Sequence, residues 1–124
     1  MTSPFRGQLE VAEFYRARPV NAQVAPAATT NTDLVTVPAG YWMEGWMWVA
    51  NRGTATTISI AARMDGATLG NKHYIAYDEP LAANESIPSQ HLYLPAGAIV
   101  TVYAGSANVS FTFSGLQRQV DVNF

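Results

Sequence analysis

Two histidines, one adjacent acidic pair and three closely spaced tryptophans are the residues of this 124-residue chain whose types could carry chemistry. His73 and His91 sit in the aromatic or aliphatic runs "HYIAY" and "HLYL". A zinc site built on two imidazoles would need further ligands, and Asp78 or Glu79 would have to complete it. In such runs the histidines read instead as strand residues that hydrogen-bond or face solvent, and no metal is assigned. Asp78-Glu79 would suit a glycoside hydrolase only if the two carboxylates stood about 5 to 9 Å apart across a cleft, whereas neighbours on a strand point to opposite faces. The pair reads as a polar strand end before Pro80. No Gly-x-Ser-x-Gly elbow, Walker-type loop or dinucleotide-binding glycine pattern occurs. Cysteine is absent, which removes disulfides, thiolate metal sites and cysteine nucleophiles and leaves the redox compartment open. The residues thus predict a protein that is not an enzyme and needs no cofactor.

The tryptophans remain. The stretch "AGYWMEGWMWVANRG", residues 39 to 53, sets Trp42, Trp46 and Trp48 among two methionines and a tyrosine, with Glu44 as the single charge before Arg52. Aromatic rows of this kind stack on sugar rings, fill a core, or bury against another chain. Periodicity in the surrounding elements has to choose among them.

Charged residues make up 13% of the chain, about half the usual share, and the net charge is −2. That gives no basic field for nucleic acid or acidic lipid. There is no basic start followed by a short apolar run, and no stretch approaches 18 uninterrupted apolar residues, so neither a secreted precursor nor a membrane protein is expected. With 48% hydrophobic residues and few charges, the surface must be built from Ser, Thr, Asn, Gln and Ala, which suits permanent interfaces.

Two regions differ in pattern. Residues 1–32 contain Pro4, Pro19, Pro26 and the small-residue run "APAATTNT", and read as an N-terminal arm and linker. Within them "LEVAEFYRARP" would form a short helix stopped by Pro19, or lie extended. Phe5, Leu9, Phe14 and Tyr15 are too much apolar surface for an inert tail and too little for a core. With Arg16 and Arg18 as polar anchors, they predict that the arm lies on another surface. Residues 33–124 switch to period 2: "DLVTV", "TTISIAA", "HYIAY", "HLYL" and "NVSFTFSG" alternate apolar with polar side chains. Turn signals such as Asn51-Arg52-Gly53, Asp65-Gly66, Asn84-Glu85 and Pro95-Ala96-Gly97 separate them. The spacing predicts an all-β fold, an antiparallel β-sandwich or jelly roll of about eight strands. "TVPAG" at 36–40 recurs as "YLPAG" at 93–97, an internal echo that fits two similar halves.

The segments "LVTVPAG", "VANRGTATTISIAA", "NKHYIAYDEPLAANES" and "LPAGAIVTVYAGSANVSFTFSG" stand in order from Leu34 to Gly115. Together they resemble a family of small virion structural proteins of tailed bacteriophages, over about two thirds of the chain. The patterns are turns and strands, so they specify architecture more closely than role. The resemblance implies a β-sandwich that builds into the particle, as a capsid cement or decoration protein on the capsid exterior, or as a tail, baseplate or fibre-attachment component. It implies synthesis in the host bacterial cytoplasm, a homotrimer, the major capsid protein as partner, and no nucleic acid, membrane or enzymatic activity. A trimer would match the three-fold junctions of a shell. The chain departs from the family's pattern in its Trp-rich strand, where small and β-branched residues are usual.

Counted as a strand from Tyr41, that stretch carries Trp42, Glu44, Trp46 and Trp48 on one face and Met43, Gly45, Met47 and Val49 on the other. The odd-numbered face is the smoother partner for Ile58, Ile60, Phe111 and Phe113, which sends Trp46 and Trp48 outward beside Glu44. A bulge at Gly45 would reverse this count. The expected role of the outward face is contact with another subunit or the capsid; glycan stacking, or burial in the monomer's own core, are the alternatives.

Overall fold

A computed structural model describes residues 17–120. Eight strands follow one another: β1 (Ala17–Val24), β2 (Thr32–Thr36), β3 (Tyr41–Asn51), β4 (Thr56–Met64), β5 (Tyr74–Leu81), β6 (Ser86–Leu94), β7 (Ala98–Ala104) and β8 (Val109–Gln119). One 3-10 turn, Asn71–His73, precedes β5. The strands form two four-stranded antiparallel sheets, ordered β1-β8-β3-β6 and β2-β7-β4-β5. Only β4 and β5 follow each other within one sheet; every other connection crosses between the sheets. Two packed antiparallel sheets make the β-sandwich that the strand spacing predicts, and the strand order winds it as a double Greek key.

Each sheet turns its alternate residues inward. Met43, Met47 and Val49 of β3, Phe111 and Phe113 of β8, Ile58 and Ile60 of β4, and Val100 and Val102 of β7 are buried and form one core between the sheets. Burying each of these large side chains contributes roughly 1.5 to 3 kcal/mol.

The sandwich begins at Ala17 rather than at Asp33. Residues 17–24, read from sequence as part of the arm and linker, form β1 and pair along their length with β8, from Ala17 opposite Arg118 to Val24 opposite Phe111. The inward half of the alternation, Val20, Ala22 and Val24, packs against the core, while Pro19, Asn21 and Gln23 are exposed. Pro19 is tolerated because β1 is an edge strand, where a missing N–H breaks no central ladder. The helix considered for "LEVAEFYRARP" lies outside the described residues except for its last three, which are extended in β1.

The echo of Pro-Ala-Gly marks two equivalent turns at one end of the sandwich. Tyr41 N–H donates to Pro38 O (3.2 Å) and Ala98 N–H to Pro95 O (3.1 Å). Gly40 and Gly97 have φ of 83° and 81°, the left-handed third position of a type II turn. The turns are tied together where Gly97 N–H donates to Val37 O (3.0 Å) and Val37 N–H to Ala98 O (2.8 Å). At the other end Asn51, only 4% exposed, holds two loops at once. Its Nδ2 donates to Thr54 O (2.8 Å) and Ala82 O (3.0 Å), and its Oδ1 accepts the Gly53 N–H (3.0 Å).

Candidate functional site

Among the described residues, the outward face of the β1-β8-β3-β6 sheet gathers most of the exposed aromatic side chains. Register decides its composition. The β3–β8 ladder runs without a shift from Tyr41 opposite Gln119 to Asn51 opposite Val109. The alternation therefore holds through Gly45, and the even-numbered residues of both strands share the outer face. Trp46 and Trp48 are 46% and 42% exposed, whereas Met47 is 2% exposed. The expected parity of the Trp-rich strand is the observed one, and Gly45 marks no bulge. A Cβ at Gly45 would stand 2.8 Å from Gly115 Cα and 2.9 Å from the Phe113 ring, and one at Gly115 would overlap the Glu44 carbonyl oxygen. These two glycines lie opposite each other because the backbones approach closely there with the Phe113 ring packed beneath.

The row opposite β3 on the other side comes from β6. Trp46 pairs with His91 and Glu44 with Tyr93. The Trp46 and His91 ring centroids are 4.5 Å apart at 50°, and His91 meets Tyr93 edge-on at 4.4 Å. Tyr93 is 67% exposed. Trp46, His91 and Tyr93 thus form one continuous aromatic strip across two strands, with Trp48 two residues further along β3, about 7 Å away. Glu44 sits at the centre of a loose polar cluster: its carboxylate lies 3.5 Å from His91 Nε2 and 3.7 Å from Arg118 Nε. The Arg118 guanidinium stands over the Trp42 ring, 5.8 Å from its centroid, leaving Trp42 half-buried. On the far side, register adds Thr112 opposite Trp48 and Ser114 opposite Trp46, then Gln23 and Asn21 of β1 beside them.

Of the site residues expected from sequence, Trp42, Trp46 and Trp48 come together on this face. Arg18 does not join them: it lies opposite Gln117, on the core-facing side of β1 beyond the last packed layer, and is exposed. Phe5, Leu9, Phe14, Tyr15 and Arg16 lie outside the described residues. His91, Tyr93 and Arg118 belong to the face and were not expected there. Alternation in "HLYL" and "SFTFSGLQR" gives their outward parity, but only strand pairing places them beside the tryptophans.

Among the described residues, no group of three or more His, Asp and Glu side chains is arranged to hold a metal ion. His73 accepts the Gly70 N–H at Nδ1 (2.9 Å) in the loop before β5, on the other sheet from His91. Asp78 and Glu79 are not a simple alternating pair. A bulge sets Tyr77 and Asp78 together against Ser59, with Asp78 at φ 47° and its N–H donating to the buried Ser59 Oγ (3.0 Å). Two open clefts flank the face. One, of about 480 Å³, lies between the β5 and β6 edges and is lined by Ile58, Ile75, Ile87, Glu79 and Glu85; the other, of about 370 Å³, is lined by Arg63, Met64, His73, Tyr93 and Pro95.

No family model matches the chain, and no curated protein does. Among solved structures it is similar to two of a pentameric capsid protein isolated from metagenomic phage sequences, one of them solved by iodide SAD phasing. Identity is 18% in both, with 96% of this chain covered, 75% and 78% of the other chains covered, and TM-scores of 0.45 and 0.44.

Proposed function

We propose that the chain is a structural protein of a tailed-phage virion: a capsid cement or decoration subunit that sits on the outside of the shell as a homotrimer and stabilises junctions of the major capsid protein. The observation that carries this reading is the aromatic strip on a rigid sheet of a sparsely charged molecule. At their exposures, Trp46, Trp48 and Tyr93 leave about 350 Å² of aromatic surface in water, within the range of the largest patch on an ordinary monomer. An interface of standard size takes about 800 Å² from each partner, so this strip acts as the buried anchor and the Ser, Thr, Asn and Gln around it as the rim. The resemblance over Leu34 to Gly115 supports the virion assignment, and its motif residues have structural tasks: Gly40 and Gly97 in turns, Asn51 in a buried node, Asp78 in a bulge, Leu81 in the core.

A second reading, a tail, baseplate or fibre-attachment component that binds receptor glycan, is favoured by one observation. Asn21, Gln23, Thr112 and Ser114 sit beside Trp46 and Trp48, and such side chains bond sugar hydroxyls. Copy number separates the two. In particles of the phage that encodes the chain, a quantitative gel read against the major capsid band should give hundreds of copies for a cement protein. Tens or fewer would overturn the cement reading and leave the tail one.

A further inference from the structure

We infer that the open edge of the sandwich formed by β5 and β6 is a self-complementary surface on which a second copy of the chain docks, about a two-fold axis near Ile75. The inference goes beyond the proposed function: it adds to the homotrimer a further contact, one that links neighbouring assemblies. Three observations lead there. First, β5 and β6 are the last strands of the two sheets on the same side and no ladder joins them, so each has a backbone edge with no described strand beside it. The cleft between them reaches the core residues Ile58 and Ile60. Second, the edge is apolar in its middle, where Ile75 and Tyr77 are 48% and 64% exposed. Third, charge is divided along it. Arg63, Lys72 and His73 line the cleft at the start of β5, while Glu79 and Glu85 line the one toward its end. Among the described residues no carboxylate lines the first and no cation the second.

The order Lys72-His73-Tyr74-Ile75-Ala76-Tyr77-Asp78-Glu79 decides which arrangement of two copies fits. In an antiparallel pair of identical edges, a two-fold axis makes one residue face its own counterpart. With Ile75 in that place, Lys72 of each copy, three residues before it, comes beside Asp78 of the other, three residues after it, with Glu79 adjacent. Opposite charges then meet at both ends and the apolar side chains meet between them, whereas two edges laid in the same direction would set Lys72 against Lys72. Arg63 already has Asp33 at 3.5 Å, but Lys72, Glu79 and Glu85 have no ion-pair partner among the described residues, which leaves these charges for a second copy. The bulge at Asp78 and Pro80 keep an outside strand from adding along the whole of β5, so the contact combines a short ladder with side-chain packing. An isologous contact of this kind closes with two copies instead of growing into a fibre. An edge contact is smaller than the standard interface of about 800 Å² per partner, so the association is weak and sensitive to salt.

Charge reversal tests this on the full chain, because a self-complementary contact can be broken in each of two variants and restored by mixing them. Lys72→Glu puts acid against acid in both halves of the contact, and Glu79→Lys/Glu85→Lys puts base against base; all three positions are exposed. Far-UV circular dichroism confirms that each variant is folded, and Glu85→Lys alone replaces the double variant should that misfold. In sedimentation equilibrium at low ionic strength the parent chain should associate with rising concentration, and each variant alone at least about tenfold more weakly. An equimolar mixture of the two variants should regain the parent's association, since every acidic end then meets a basic one. Added salt should weaken the parent. A parent that shows no such association up to millimolar concentration, folded variants that associate as strongly as the parent, or a mixture no stronger than its components would each overturn the inference. Loss of cosedimentation with particles in Lys72→Glu, with self-association unchanged, would overturn it in favour of a contact with the capsid. The copy number in particles is unaffected by any of these results and judges the virion role separately.

Discussion

Asn51→Asp replaces an amide by a carboxylate of the same shape at a site where only the amide fits. The Oδ1 that accepts the Gly53 N–H is kept, but the Nδ2 that donates to Thr54 O and Ala82 O becomes an oxygen facing two carbonyls. Two lost hydrogen bonds cost about 1 kcal/mol each, and a buried acceptor without a donor costs roughly 1 to 3 kcal/mol more. The expected loss is about 3 to 5 kcal/mol out of a total stability on the order of 5 to 15 kcal/mol. Melting should fall by roughly 10 to 20 °C for a domain of this size. Burial and the facing carbonyls raise the folded-state pKa of the introduced carboxyl above its unfolded value of about 3.9. The protonated form, which can donate one bond back, therefore stabilises the fold fully below that unfolded value, and this stabilisation is lost as pH rises through the raised folded value. The gap to the parent chain should be widest near neutrality and narrow in acid. Urea unfolding followed by far-UV circular dichroism at neutral pH and near pH 4 measures both quantities. A neutral-pH loss below about 1 kcal/mol, or a gap that does not narrow in acid, would refute the reasoning.

Four further outcomes are expected. Gly115→Ala must displace the Glu44 backbone and should cost more than about 3 kcal/mol in urea unfolding, whereas Gly66→Ala, at φ 83° with open space around it, should cost only about 1 kcal/mol. Ser59→Ala removes the bond that holds the β5 bulge; it should cost roughly 1 to 2 kcal/mol and speed hydrogen exchange at the Asp78 amide. Glu44→Gln should change stability by less than about 1 kcal/mol, because its partners are loose and solvent-screened. The Trp46→Ser/Trp48→Ser pair should fold and yet bind particles at least about 100-fold more weakly in a cosedimentation assay, as expected when anchors are removed from an interface.

The β3 strand shows how far periodicity reaches. Nine residues of strict alternation between Tyr41 and Val49 placed Met43, Met47 and Val49 inward and the tryptophans outward, because a two-residue period leaves a strand no third choice. The same rule missed β1. Arg18, Pro19 and Asn21 dilute its alternation to Val20, Ala22 and Val24, and an edge strand buried on one side by small residues resembles a linker until its partner is known. Alternation also misled at Asp78-Glu79, where one extra residue opposite Ser59 breaks the count and no sequence signal announces a non-glycine in the left-handed region. The site was half visible for a similar reason. Its tryptophans lie on one strand, whereas His91, Tyr93 and Arg118 reach it from 45, 49 and 76 residues further along the chain than their partners Trp46, Glu44 and Trp42, and are adjacent only through pairing.

The pairing of β1 with β8 makes this molecule nearly a ring. Ala17 lies opposite Arg118, so the first and last described strands begin and end side by side on one sheet. A short tether from Gln119 to Ala17, with the chain reopened at the exposed Ala82–Glu85 turn, would keep every ladder and every crossing between sheets except the one from β5 to β6. The winding would then be the same knot of two Greek keys entered at a different door. The start of β1 at Ala17 and the end of β8 at Gln119, by contrast, both lie at the Trp42 corner and share the same few ångströms of space there.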